Sequence, residues 1–419
     1  MWLVSTTLAS LLVVYVLTTF VSSRKRQRAP RAVPKDLFFV FMVPCLNEEL
    51  VVGKCIERLL ALPHDNFAVL VIDDGSEDAT PDIVRSYDPR RVFLLQRRFP
   101  EARQGKGEAL NAAYRHLADL ECVKGRPASD VIVVIVDADG RLEADAVFEV
   151  APIFADELVG AVQIGVRMYN ADAGYLARMQ DFEFVTFTEI FQRARNNFGI
   201  SGLGGNGQFN RLAALQSLGR APWSSCLTED LDLGIRMVAA GWRTSYCSTT
   251  WVNQQAVTNL RRLVRQRARW FQGHLQCWRL IGHVLRSRIS TRATFDLVHH
   301  LFSPALVLLM SMAVPLFLGA AAGAGAIDPH LLLRTVTYDH GLLVGVMYAL
   351  SFGLAIPYGF SYWLQDPQTS WIRALFLGHL FTLYGYLWFP AGWMAVARLA
   401  RKRQGWAKTA RTVVLEAAT

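Results

Sequence analysis

Val131-Ile132-Val133-Val134-Ile135-Val136-Asp137-Ala138-Asp139-Gly140 is a run of β-branched apolar residues that ends abruptly in two carboxylates and a glycine. Such residues favour strands. A short continuous apolar run bounded by turn residues reads as a strand covered on both faces. Upstream, Val69-Leu70-Val71-Ile72-Asp73-Asp74-Gly75-Ser76 repeats the pattern, and residues 37–43 and 92–95 add two more strand-like runs. Between them, residues 49–60, 80–86 and 106–120 have helical spacing. This alternation predicts a doubly wound, mostly parallel sheet. Sheets of that kind bind ligands beyond the carboxyl ends of their strands. The polar clusters Asn47-Glu48, Asp73-Asp74 and Asp137-Ala138-Asp139 fall there, the two acidic ones expected at adjacent strand ends.

Outward from this core the composition changes. The 419 residues are 52% hydrophobic and 19% charged, where a soluble chain is nearer 25% charged. The apolar excess sits at both ends. Residues 2–23 carry no charge and are long enough to cross a bilayer. The basic residues Arg24, Lys25, Arg26 and Arg28 follow this run instead of preceding it, as in an uncleaved anchor with its C-terminal side in the cytoplasm. The net charge of +9 gathers at 24–28, 261–292 and 398–411, each beside an apolar run. That placement suits the cytoplasmic face of a membrane and its anionic lipids, and no nucleic-acid module accompanies it. The six cysteines form no CxxC pair and no zinc spacing, so they read as reduced thiols.

The expected organisation is an anchor at 1–23, a basic linker at 24–35, a cytoplasmic α/β domain at 36–255, interfacial helices at 256–295, an α-helical transmembrane region at 296–398 and a basic tail at 399–419. Candidate spans are 299–319, 341–363 and 371–396. Three full spans after one anchor would put the basic tail outside, against the positive-inside tendency. Residues 371–390 are therefore the expected non-crossing piece.

Four further readings concern chemistry. The Asp137-x-Asp139 spacing puts both side chains of an extended segment on one side, where they can hold a hard divalent cation. An acid after a strand is also commonly a mere turn residue. Gly105-Lys106-Gly107 opens a helix, and a lysine there can meet phosphate oxygens, although such turns are common on surfaces. Thr228-Glu229-Asp230-Leu231-Asp232 reads as a cap followed by first-turn acids, one of which could accept a proton. Gln266, Arg269 and Trp270 share a helix face at i, i+3 and i+4. There, a guanidinium can neutralise a diphosphate and an indole can support a sugar ring; an ordinary amphipathic interfacial helix accounts for the same pattern.

Taken in order, Asp73-Asp74-Gly75, Asp137-x-Asp139, Thr228-Glu229-Asp230 and Gln266-x-x-Arg269-Trp270 resemble the family 2 glycosyltransferases with membrane-embedded C-termini, such as hyaluronan, chitin, cellulose and poly-N-acetylglucosamine synthases. The resemblance implies a GT-A (Rossmann-like) α/β domain, a UDP-sugar donor, inversion at the anomeric carbon, and Mg²⁺ or Mn²⁺ as cofactor. It makes Asp230 the catalytic base. Donor contacts would come from Asp73, Asp74, Lys106, Asp137, Gln266 and Arg269, with Asp137 and Asp139 as metal ligands. Acceptor contacts would come from Asn206, Gly207, Thr228, Glu229 and Trp270. The segment Gly405-Trp406-Ala407-Lys408-Thr409 is similar to a cytoplasmic motif of several synthases. The expected activity is extension of a glycan at the plasma membrane by a multi-pass protein, with translocation of the polymer. Tyr348, Tyr358, Tyr362, His379, Tyr384, Tyr386, Trp388 and Trp393 are candidates for a polar lining, and a second protomer would help to close a pore. The alternatives are transfer of a single sugar to a membrane lipid, as in ceramide glucosyltransferases, and a non-catalytic transporter or scaffold. Crowded carboxylates argue against the last.

Overall fold

The computed structural model describes residues 2–25 and 37–402, apart from 329, 331, 332, 335, 336 and 338–340. Most of the expected basic linker and the Trp406 motif lie outside the described residues. The strands are β1 (Phe38–Cys45), β2 (Phe67–Asp73), β3 (Val92–Gln96), β4 (Val131–Ile135), β5 (Arg141–Leu142), β6 (Val159–Met168), β7 (Gln208–Arg211) and β8 (Arg243–Gln254). They form one sheet in the order β3-β2-β1-β4-β7-β6-β8-β5.

The strands β3, β2, β1 and β4 run parallel, as the alternating pattern predicts. The rest of the sheet is mixed, because β7 is antiparallel to both β4 and β6, and β5 is antiparallel to β8. One expectation needs correction. The two acidic clusters follow β2 and β4, which are not neighbours, since β1 lies between them. The end of β1 contributes Glu48 to the gap.

The period-two alternation of side chains divides the core cleanly. Phe39, Phe41 and Val43 of β1 join Ile132 and Val134 of β4 on one face, with Val52, Cys55, Ile56 and Leu59 of helix Val52–Leu60. Phe38, Val40 and Met42 join Val131, Val133 and Ile135 on the other, with Ala109, Leu110 and Ala113 of helix Lys106–His116. Both faces are covered, so the central strands read as unbroken apolar runs.

Three buried polar clusters tie this domain to the apolar helices. Asp296 accepts from Tyr15 Oη at 2.8 Å and from Arg195 Nε at 2.7 Å. Asp181 accepts from Tyr362 Oη at 2.8 Å and from Arg167 Nε at 3.2 Å. Glu183 accepts from Tyr384 Oη at 3.0 Å and pairs with Arg267. Tyr362 and Tyr384, expected among channel-lining groups, are thus buried anchors bonded to carboxylates of the α/β domain.

Among the described residues, Thr291–Ile327 and Val344–Gln365 are long and apolar enough to cross a membrane. The last apolar stretch divides into two shorter helices, Trp371–Gly385 and Trp388–Ala400. Helix Leu260–Gln276, expected at an interface, packs lengthwise on Trp388–Ala400.

Candidate active site

A cavity of about 560 Å³ opens at the carboxyl ends of β1, β2 and β4. Its lining includes the polar residues Glu48, Asp74, Lys106, Asp137, Asn206, Glu229, Asp230, Gln266 and Arg269, and the apolar residues Phe184, Phe187, Phe271, Pro304, Val307 and Trp388. The expected residues Thr228 and Trp270 also line it.

Lys106 is the electrostatic centre. It is the first residue of its helix, and its Nζ reaches Asp137 Oδ1 and the Gly205 carbonyl, both at 2.6 Å. Glu229 Oε1 lies 4.0 Å away. Burial opposes the lysine's charge, but Asp137, Glu229 and Asp230 outweigh it and hold its pKa above the ordinary value. The carboxylates respond to the same environment. Burial, reinforced by Asp230, pushes Glu229 up to about 7 despite Lys106 and Arg269. Burial also raises Asp230, opposed mainly by the Leu231 backbone N–H, which donates to Oδ1 at 2.7 Å. A carboxylate with a raised pKa is a stronger base than an ordinary surface acid.

The loop before β7 sets this geometry. The Asp137 backbone N–H donates to Asn206 Oδ1 at 3.1 Å, and Asn206 Nδ2 donates to Gln254 Oε1 at 3.2 Å. Gly207 has φ +71°, and a Cβ there would meet Ile164 and Val252 below 3.0 Å. Its contribution is therefore backbone packing, and it does not line the cavity.

The second half of the site depends on Gly273. A Cβ there would come within 2.7 Å of Thr228 Cγ2 and Oγ1 and 2.6 Å of Thr228 N. Its absence lets the Thr228 turn sit directly on helix Leu260–Gln276, and Gln276 Oε1 accepts the Leu227 N–H at 3.0 Å. The Glu229 and Gln266 motifs are thereby brought to one cavity. Thr228 stands at the N-cap position of helix Glu229–Ala239, but its side chain makes no capping bond. Cys226 and Cys277, free thiols whose sulfurs are 3.7 Å apart, pack beneath this junction.

Several expected residues sit elsewhere. Asp73 is fully buried, accepting from the Ser76 N–H at 3.0 Å and from Gln96 Nε2 at 3.2 Å, so it shapes the turn behind Asp74. Asp74 lines the cavity and pairs with Arg97. Burial raises its pKa against the Arg103 N–H and Arg97. Asp139 is buried at the mouth of β8, 3.4 Å from the Gln255 N–H, and is outside the cavity lining. Asp232, the last acid of its cluster, is fully buried between Arg236 and Arg279 at 2.6 and 2.5 Å. Sequence reasoning named Trp388, as a candidate polymer-lining group, but missed the rest of the apolar wall together with Gln254, His274, His300 and Ser303. Its only local signal was Pro304 inside an apolar run.

The donor set suits a hard divalent cation, since Asp137 and Asp139 offer carboxylate oxygens beside a cavity. Among the described residues no group of three or more His, Cys, Asp or Glu gathers as a ready cage. A cation here would complete its shell with diphosphate or water oxygens.

A Rossmann-like sheet with carboxylates at its strand ends and a helix-borne acid across the cavity defines a GT-A glycosyltransferase. The chain belongs to glycosyltransferase family 2, and residues 34–273 match the model described as glycosyltransferase like family 2. It is 33% identical over 303 residues to the beta-monoglucosyldiacylglycerol synthase of Trichormus variabilis, a match covering 68% of this chain and 60% of that protein. The poly-beta-1,6-N-acetyl-D-glucosamine synthase of Staphylococcus aureus is 25% identical over 286 residues, covering 67% and 64%. The chain thus spans less than two thirds of the length of these relatives. In fold it is similar to the mannosyltransferase PcManGT of Pyrobaculum calidifontis, solved with GDP-Man and Mn²⁺. That likeness has a TM-score of 0.55 and 20% identity, over 90% of this chain and 99% of the other.

Proposed function

We propose that this enzyme transfers a single hexose, with inversion, from a UDP-sugar to the hydroxyl of a membrane glycerolipid on the cytoplasmic face. The observation that carries the reading is the mixed lining of the cavity. Its charged residues suit a sugar diphosphate, and Phe187, Phe271, Pro304, Val307 and Trp388 add apolar surface beside a helix able to cross a membrane. A sugar ring can also stack on aromatic groups, but Pro304 and Val307 add aliphatic surface, which suits the apolar body of a lipid that presents one hydroxyl. The likeness to beta-monoglucosyldiacylglycerol synthase supports the same acceptor and makes glucose the first sugar to test.

In this reading Asp230 takes the proton of the acceptor hydroxyl as it attacks the anomeric carbon opposite the diphosphate. Glu229, beside it, is held partly protonated near neutrality and can donate a hydrogen bond to the incoming sugar or lipid headgroup. Lys106 and Arg269 meet the charge that builds on the leaving diphosphate, and Trp270 flanks the sugar. Mg²⁺ or Mn²⁺ held by Asp137 and Asp139 would supply further Lewis-acid stabilisation of the leaving group. Asp74 is placed for the nucleoside.

A second reading, extension of a polysaccharide with translocation, draws on the likeness to poly-beta-1,6-N-acetyl-D-glucosamine synthase. The burial of Tyr362 and Tyr384 on Asp181 and Glu183 removes two of its expected lining groups. The deciding experiment gives purified enzyme a panel of UDP-sugars with diacylglycerol in mixed micelles, followed by mass spectrometry of the products. A lipid carrying one hexose is expected. Polymer without glycolipid would overturn the proposal.

A further inference from the structure

Gln266, Trp270, His274 and Trp278 recur every four residues along helix Leu260–Gln276 and its continuation Cys277–Leu280, so they form one stripe. The first three line the cavity. The last two reach across to helix Thr291–Ile327. His274 Nε2 bonds the His300 carbonyl at 2.9 Å, and Trp278 Nε1 donates to the Leu301 carbonyl at 2.5 Å. Their rings pack on the same turn, His274 against His300 at 4.7 Å and Trp278 against Phe302 at 5.5 Å.

The His300 carbonyl explains why the His274 bond exists. Pro304 lies inside helix Thr291–Ile327 and has no N–H, so the His300 carbonyl four residues earlier loses its helical donor. A buried carbonyl without a partner is costly. Here it is satisfied from two sides, by His274 and by Ser303 Oγ at 2.8 Å. Because the partner is a carbonyl, His274 must carry its proton on Nε2. Burial lowers the pKa of His274 to about 4, so the ring is neutral at pH 7 and presents that N–H alone.

We infer that His274 and Trp278 are positioning residues that clamp the catalytic helix onto the Pro304 break. The clamp fixes the distance between the acceptor-side wall (His300, Ser303, Pro304 and Val307) and the residues that do chemistry, Asp230, Gln266 and Trp270. The stripe works as a ruler, with one end at the reacting atoms and the other held by His274 at the carbonyl that Pro304 frees and by Trp278 at the neighbouring Leu301 carbonyl. This rests on the acceptor site assigned above, although the bond itself does not depend on which acceptor is used.

The test is a double-mutant cycle on the full-length protein with His274→Phe, Pro304→Ala and the double variant. Phenylalanine keeps the ring contact with His300 and removes the donor. Alanine at 304 restores a helical N–H to the His300 carbonyl. His274→Phe is expected to raise the acceptor KM about tenfold while UDP affinity stays within about twofold. Ser303 Oγ still donates to the His300 carbonyl, so adding Pro304→Ala is expected to recover part of the unfolding temperature lost by His274→Phe. If the two changes are additive in unfolding, or if acceptor KM stays unchanged while only stability falls, the clamp is refuted. A wild-type enzyme that ignores diacylglycerol sinks the lipid reading alone, because the unfolding cycle still reports on the bond. Should His274→Phe fail to accumulate, Trp278→Phe removes the neighbouring contact to the Leu301 carbonyl, with the same KM rise expected and an unchanged KM refuting the clamp.

Discussion

Replacing Gly273 with alanine adds one methyl group at the point where the two halves of the active site touch. The new Cβ would lie 2.6 Å from Thr228 N and 2.7 Å from Thr228 Cγ2 and Oγ1. Ordinary contacts need about 3.5 Å, so the Thr228 turn must retreat from the helix by close to an ångström. Two of the three atoms belong to a side chain that can rotate, but the backbone nitrogen cannot give way without moving Glu229 and Asp230. Overpacking of this kind costs about 1–3 kcal/mol of stability. A misplacement of roughly 1 Å at reacting groups costs on the order of 10²-fold in rate. Gly273→Ala should therefore lose about two orders of magnitude in kcat/KM with a melting temperature lowered by a few degrees. Gly282→Ala is the control, because a Cβ there meets nothing within 4 Å, and it should be active and slightly more stable. The assay is UDP release with a lipid acceptor, alongside thermal unfolding in the same detergent. If Gly273→Ala turned over at the wild-type rate, the close approach of Thr228 to this helix would have no bearing on catalysis.

Other outcomes follow from the same geometry. Asp230→Asn keeps an oxygen for the Leu231 N–H and should fold and bind UDP, yet lose about 10²–10⁴-fold in transfer rate; turnover near wild type would make Asp230 a structural first-turn acid. Burial holds the Glu229 proton up to about pH 7 in the folded chain, against 4.5 ordinarily, so folding stability should decline as pH rises through that window. Glu229→Gln should flatten this slope in pH-dependent melting curves, and an unaltered slope would place the titration elsewhere. Excess EDTA should abolish transfer and Mn²⁺ or Mg²⁺ should restore it; full activity in EDTA would remove the cation from Asp137 and Asp139.

What could be seen in the sequence depended on the range of the interaction that sets each residue's job. The strand ends were legible because the apolar run, the carboxylates and the glycine adjoin one another in the chain, and a sheet with both faces covered leaves little freedom in how such a run is used. Asp232 shows the limit. In the sequence it is one more acid beside Glu229 and Asp230, and its removal from the cavity is decided partly by Arg279, 47 positions away. Tyr362 and Tyr384 look like membrane aromatics by local composition, and only the approach of Asp181 and Glu183, 181 and 201 positions distant, makes them anchors. The break between β2 and β4 is a matter of strand order, which alternation alone does not fix.

The apolar wall is the most consequential of these long-range features. The motif residues that line the cavity, among them Asp74, Asp137, Gln266 and Arg269, mostly suit the sugar diphosphate, so they speak more to the donor than to the acceptor. Trp388 and Val307 come from two different C-terminal helices and join Phe271 in the cavity lining because both helices pack on helix Leu260–Gln276. A Gly392 without Cβ makes that approach possible, since an added atom would stand 3.0 Å from Phe271 Cζ and 3.1 Å from Leu308 Cδ2. The acceptor side is thus written in the small residues and kinks that let helices close on the catalytic helix. For a chain with this donor motif set, the choice between a lipid and a glycan acceptor should follow the polarity of that closure, and polar substitutions at Val307 and Trp388 should weaken lipid use while leaving UDP binding intact. Retained lipid kinetics in a Val307→Asn, Trp388→Gln double variant would show that the acceptor reaches Asp230 by another route.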